Sequence, residues 1–137
     1  MLVRTILGLL AITFMAGCSA STDKGIAEGA VTQFHQRLNT GAYKEMYSVT
    51  DSKLRAVTNE SDFVALMAAI HKKLGAHQTK AARGWHVNWT LEGTFVSLSY
   101  ETRFAEGKAT EDFVWRVRDG RAQLVSYNVN SPQLILK

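Results

Sequence analysis

Near Gly75 the apolar residues of this chain change period, from one every three or four to one every two, and that switch limits the fold more than any other feature. Upstream, Ala27, Ala30, Val31, Phe34 and Leu38 fall at i, i+3, i+4, i+7 and i+11, a single stripe on one helix. Asp23, preceded by Ser21 and Thr22, is placed to cap its start, and Gly41 to end it. A shorter helix carries Tyr43, Met46 and Tyr47 on one face, and the less regular stretch from Asp51 to Asn59 holds a turn around Leu54. A third helix, capped by Ser61 and stopped by Gly75, repeats the first stripe with Phe63, Leu66, Met67, Ile70 and Leu74. From Ala76 on, alternation takes over. Trp85, Val87, Trp89 and Leu91 share one strand face; Val96, Leu98, Tyr100, Thr102 and Phe104 the next; Phe113, Trp115 and Val117 a third. Turns fall at Glu92-Gly93, Glu106-Gly107 and Asp119-Gly120, and a last strand runs from Gln123 to Val129 before Pro132. Three one-sided helices need one apolar surface to cover, and a four-stranded antiparallel meander supplies it. The predicted class is α+β, with three N-terminal helices packed on the sheet.

The register of the last strand has two solutions. A two-residue Asp119-Gly120 turn pairs Trp115 with Leu124 and sends Val125, Tyr127 and Val129 to the opposite face, where they would form a surface for a homodimer. A bulge at the turn instead buries Val125 and Tyr127 against the helices.

The N-terminus reads differently. Arg4, the apolar run Ile6 to Phe14 and the small residues after it form the three parts of an export signal, too short to span a bilayer. Met15-Ala16-Gly17-Cys18 resembles the lipobox of bacterial lipoproteins. The resemblance implies cleavage between Gly17 and Cys18, a diacylglycerol on the Cys18 sulfur, and an acyl chain such as palmitate on the new amine. It also implies, from Ser19 in place of an aspartate, the periplasmic face of the outer membrane rather than the inner one. The expected organisation is a signal peptide over 1–17, the lipidated cysteine and a tether over 18–22, and a single domain over 23–137. Removing 17 of the 137 residues leaves 120, sufficient for one core. At about 3.5 Å per residue the tether reaches some 15 Å, which keeps the domain near the lipid surface.

Composition narrows the chemistry. Arg4 is the only charge before Cys18, so the mature chain sets 15 Lys and Arg against 12 Asp and Glu, too mild a balance to point to nucleic acid. The single cysteine excludes an internal disulfide and any multi-cysteine metal centre, and the four histidines lack metal-site spacing. No cofactor is indicated.

Leu38 to Tyr43, Leu74-Gly75, Tyr100 to Phe104 with Gly107 and Glu111, Asp119-Gly120, and Tyr127 with Ser131 together resemble bacterial domains of the DUF4019 type, of unknown function. Helices followed by a curved antiparallel sheet resemble the nuclear transport factor 2-like, or cystatin-like, superfold, which implies a cone-like sheet. Enzymes on that superfold place a carboxylate or histidine beside a tyrosine inside the cone. Here His35 is expected half exposed, and Glu101, Glu111 and Asp112 on outward faces or strand ends, so no catalytic residue is assigned. Tyr43, Tyr47, Trp85, Trp89, Tyr100 and Trp115 are candidates to line an apolar ligand cavity, or else to be core. Lys72, Lys73, Lys80 and Arg83, with His71 and His77, form a basic stretch that would meet anionic headgroups or simply be solvated. The sequence favours a non-enzymatic, lipid-anchored envelope protein that binds a partner protein or a small apolar ligand. Its alternatives are an isomerase- or hydrolase-type enzyme in the sheet cavity and a structural homodimerisation module.

Overall fold

A computed structural model describes residues 16–136 of the chain, with side chains from Ser19 onward. Residues 1–15 of the signal peptide expected over 1–17, and the Cys18 side chain, lie outside the described residues. The elements run α1 (Ala16–Thr40), α2 (Tyr43–Ser48), α3 (Ser52–Val57), α4 (Glu60–Leu74), β1 (His77–Thr90), β2 (Gly93–Phe104), β3 (Gly107–Arg118), β4 (Arg121–Asn130) and α5 (Pro132–Ile135). The strands form one antiparallel sheet in the order β1-β2-β3-β4, the expected meander. The architecture is α+β, N-terminal helices on a four-stranded antiparallel sheet.

The stripes do what their spacing requires. Ala27, Val31, Phe34 and Leu38 of α1, with Phe63, Met67, Ile70 and Leu74 of α4, are buried against Val96, Leu98, Tyr100, Phe113, Trp115 and Val117 of the sheet. Two boundaries differ from expectation. Helix α1 does not begin at Asp23 but at Ala16, so residues 19–22 are helical rather than an extended tether. At 1.5 Å per residue they advance only about 6 Å. The cap of α4 is Asn59 rather than Ser61: its side-chain oxygen accepts from the Asp62 N–H at 2.9 Å. Gly75 then stops α4 with φ 74°, and a Cβ there would stand 2.9 Å from Ala105 Cβ, so both conformation and space demand glycine.

The last strand adopts neither of the two expected registers whole. Asp119 (φ 52°) and Gly120 (φ 71°) make a two-residue turn, and Trp115 does pair with Leu124. The ladder then slips: Val114 pairs with Ser126 and Phe113 with Tyr127, leaving Val125 as an extra residue. This mid-strand bulge lets Leu124 and Tyr127 face the same core although their numbers differ in parity. The open-face surface expected from Val125, Tyr127 and Val129 therefore loses two of its three members, since Tyr127 and Val129 pack on the core side.

Strand β1 is the second correction. Trp85 pairs with Leu98, Val87 with Val96 and Trp89 with Thr94, so the expected face is correct and Val87 packs on the core, yet the two indoles are not buried. Trp85 and Trp89 are 59% and 57% exposed, and Leu91 stands fully in solvent at the turn.

Candidate functional site

Helix α1 and the four strands each send one side chain to a buried polar cluster. Period two places Glu111 in phase with Phe113, Trp115 and Val117, and β3 starts early enough, at Gly107, to carry it inward. Its carboxylate is 0% exposed, a correction to the outward or strand-end position expected for it. On Oε1 it accepts from His35 Nε2 of α1 at 2.8 Å and from Thr102 Oγ1 of β2 at 2.5 Å; on Oε2 it accepts from the Tyr127 hydroxyl of β4 at 2.5 Å. His35, expected to be half exposed, is 2% exposed. His77 of β1 closes the group, its ring stacked on that of His35 at 3.8 Å and 10°.

The electrostatics follow from the donors. Burial pushes the Glu111 carboxyl up, but the His35 hydrogen bond and charge, with Thr102 and Tyr127, outweigh it and hold the group below its ordinary value. Glu111 is thus an ionised acceptor, and His35 Nε2 carries the shared proton. Burial and the neighbouring carboxylate raise the Tyr127 phenol well above its usual range, so it stays a donor. Burial, then the His35 charge, lowers His77 from 6.5 to about 4 and keeps it neutral; Glu111 acts the other way, and Lys80 adds to the lowering. His35 Nδ1 and His77 Nε2 are buried without hydrogen-bond partners. A second buried pair joins Asp51, in the α2–α3 link, to Arg116 of β3: Nη2 donates to Oδ1 at 3.0 Å and Nε lies 3.0 Å from Oδ2.

An acid–base site on this architecture needs a carboxylate or imidazole beside a tyrosine, and a space for substrate. The first requirement is met by Glu111, His35 and Tyr127. The second is not met at the carboxylate, whose oxygens are both occupied and sealed from solvent. The accessible space lies beside it. A groove of about 310 Å³ runs between α3, α4 and the bulged edge of β4, lined by Leu54, Val57, Phe63, Leu66, Met67 and Tyr127 among others. Leu66, expected in the buried stripe of its helix, is 52% exposed there, and Val57 is 83% exposed. The Tyr127 ring forms part of the wall while its hydroxyl reaches back to Glu111.

The six aromatic residues expected to line one cavity do not meet. Tyr43 bonds His71 Nδ1 through its hydroxyl at 2.7 Å, and the Tyr47 hydroxyl donates to the Thr58 carbonyl at 2.9 Å. Tyr100 is core, its phenol raised to about 12 by burial, then by the Glu28 and Glu111 charges. Trp115 is also core, stacked on Phe113 and walling a small cavity of about 70 Å³ with Phe34 and Leu124. Trp85 and Trp89 are on the surface.

Of the basic stretch, Lys72 and Lys73 end α4 beside the β2–β3 turn, where Lys73 Nζ donates to the Leu134 carbonyl. Lys80 Nζ reaches Thr32 Oγ1 at 3.3 Å, and Arg83 Nη1 reaches Thr110 Oγ1 at 3.4 Å. Lys72 and Lys73 are thus at the end of α4, and Lys80 and Arg83 in the first half of β1. Among the described residues, no group of three or more His, Cys, Asp or Glu is placed to hold a metal ion, and no helix is long and apolar enough to cross a membrane.

Sequence parity could have found Glu111, two residues before Phe113. Nothing in the sequence marks Val125 as the bulge that turns Tyr127 toward it.

The fold and the buried cluster define a small α+β domain with a polar keystone inside an otherwise apolar core. Residues 30–127 match the family model described as "Protein of unknown function (DUF4019)", and the chain belongs to that family. Among solved structures it is similar to an NTF2-like protein from Cytophaga hutchinsonii ATCC 33406, at 10% identity and a TM-score of 0.49, over 78% of this chain and 96% of that one. Comparison with curated proteins gives no match.

Proposed function

We propose that this is a non-enzymatic, lipid-anchored protein of the bacterial envelope, held through Cys18 on the periplasmic face of the outer membrane. In this reading it binds an apolar ligand, or apolar side chains of a partner protein, in the groove between α3, α4 and β4. The groove is the observation that supports it. Its volume of about 310 Å³ lies at the lower end of small-molecule sites, and its wall is apolar apart from Tyr127, Ser126 and Thr58. Leu66 and Val57 leave on its rim apolar area that the core does not use. An enzyme of the acid–base kind is supported by one feature, the Tyr127 bridge from groove to Glu111, but substrate would have to displace a hydrogen bond to reach the carboxylate.

The test is binding of a solvent-sensitive apolar dye, N-phenylnaphthylamine, to the purified protein. Dye fluorescence should rise on the wild type and fall at least tenfold in apparent affinity for Leu66→Arg and Val57→Glu, both at exposed positions and so compatible with folding. Undiminished binding by both variants would place the apolar site elsewhere. Intact mass and detergent partition of wild type against Cys18→Ala test the anchor separately.

A further inference from the structure

We infer that the end of the domain bearing Trp85, Trp89 and Leu91 is a membrane seat, pressed into the headgroup region of the bilayer beside the anchored cysteine. This rests on the lipid-anchor reading of Cys18 and goes beyond it by stating which face meets lipid.

Three contacts fix how α1 lies along β1. Asn39 bonds both backbone groups of His77, at 2.7 and 3.2 Å; Lys80 Nζ meets Thr32 Oγ1; and Lys24 Nζ stands 5.4 Å from the Trp85 ring centre. As β1 advances from His77 to Trp85, α1 retreats from Asn39 to Lys24. The two elements are antiparallel, and six residues beyond Lys24 bring residue 18 about 9 Å further, to a level between Trp85 and Trp89. Because β1 and β3 run in the same direction, the β1–β2 turn with Leu91 and the β3–β4 turn with Arg118 and Arg121 are at this end as well. The start of α1 thus lies at the same end as two half-exposed indoles, a fully exposed leucine and exposed Arg118 and Arg121, with Glu92 and Asp119 on the same two turns.

Each part has a physical role at a lipid surface. Indole rings, apolar in body and polar at N–H, partition to the boundary between headgroups and acyl chains. Leucine inserts just below, and cations meet phosphates. Packing leaves more than half of each indole exposed, although Lys24 of α1 reaches over the Trp85 ring. The basic stretch precedes the tryptophans along the chain, with Lys72 and Lys73 at the end of α4 and Lys80 and Arg83 in the first half of β1.

The experiment uses full-length protein, processed in cells, purified and reconstituted into phosphatidylethanolamine and phosphatidylglycerol vesicles, with and without brominated acyl chains. Emission comes from Trp85, Trp89 and the buried Trp115. Bromine near the headgroups should cut wild-type emission roughly twofold, since two of the three indoles sit in the boundary region. Trp85→Phe/Trp89→Phe, which keeps only Trp115, should float with the vesicles and be unquenched. Wild type that floats without quenching would overturn the seat and leave the anchor standing. Wild type that fails to float would overturn the anchor and the seat with it. Emission that shifts to the blue with protein density, unquenched by bromine, would show a second copy covering the tryptophans, and would also overturn the proposal.

Discussion

Replacing Glu111 tests whether the buried cluster holds the domain together. Its carboxylate accepts three hydrogen bonds inside the core, each of the kind worth about 1.5–3 kcal/mol when the acceptor is charged. Glu111→Ala leaves His35 Nε2, Thr102 and Tyr127 without their acceptor and opens a void, so the loss should fall around 3–5 kcal/mol, as for other buried pairs broken from one side. Glu111→Gln keeps the shape. Its amide oxygen can serve His35 and Thr102, and its N–H₂ can donate to a reversed Tyr127 hydroxyl, so only the charge assistance goes, about 2 kcal/mol. Domains of this size are stable by roughly 5–15 kcal/mol, so the alanine variant should be near the limit of folding.

Urea unfolding followed by circular dichroism reads both. The midpoint should drop by about 1 M for Gln and about 2 M for Ala, at unchanged slope. The pH dependence supplies a second check. The folded carboxyl is held below its ordinary value of 4.5, so its stabilisation is complete above that pH and disappears as pH falls through the folded value. The advantage of wild type over Gln should therefore be constant near neutrality and shrink in acid. An alanine variant within 1 kcal/mol of wild type, or Gln as damaging as Ala, would refute the reasoning.

Three further outcomes follow from neighbouring features. His77, lowered from 6.5 to about 4, is protonated in the unfolded chain before the folded one, so stability should fall as pH drops through that interval. Allowing for its partial exposure, His77→Phe should flatten the wild-type slope there by about 1 kcal/mol, measured by urea midpoints at successive pH values, without breaking a ring-nitrogen bond. Arg116→Met, which strands Asp51 at 1% exposure, should cost about 3 kcal/mol by the same assay. Deleting Val125 removes the extra residue and keeps Trp115 opposite Leu124 and Phe113 opposite Tyr127, so Tyr127 and Val129 stay on the core face and the urea midpoint should lie closer to wild type than that of Tyr127→Phe.

The helical stripes and the first three strands of the meander were legible in the sequence because each rests on a local period repeated over three or more positions. Phe34 and Leu38 could be placed without knowing what they touch. Trp85 and Trp89 show where that logic stops: alternation says which face they share, but whether a helix covers that face depends on where α1 and α4 lie, a relation between distant parts of the chain. Glu111 shows another limit. Its parity with Phe113 was readable, but a carboxylate at a core position conflicts with hydrophobic patterning, and only the arrival of His35, 76 residues away, resolves the conflict. The Val125 bulge leaves no period at all, since one inserted residue breaks alternation without a glycine or proline to mark it.

Those same non-local features explain why a meander this short of cover is specific. Sheet register here is weakly fixed at the edges: β1 carries two register shifts and is exposed on most positions, and β4 carries another. A purely apolar core would tolerate slips of either strand, because one valine or leucine substitutes for another at small cost. A buried carboxylate does not tolerate them. Moving β4 by one residue removes the Tyr127 hydroxyl, shifting β2 removes Thr102, and sliding α1 removes His35, each leaving a charge or donor unsatisfied in a low-dielectric interior. The cluster thus penalises wrong registers more than it rewards the right one. A core pinned in this way can leave Leu66 and Val57 on one side, and Trp85 and Trp89 at the other end, free for contacts outside the domain.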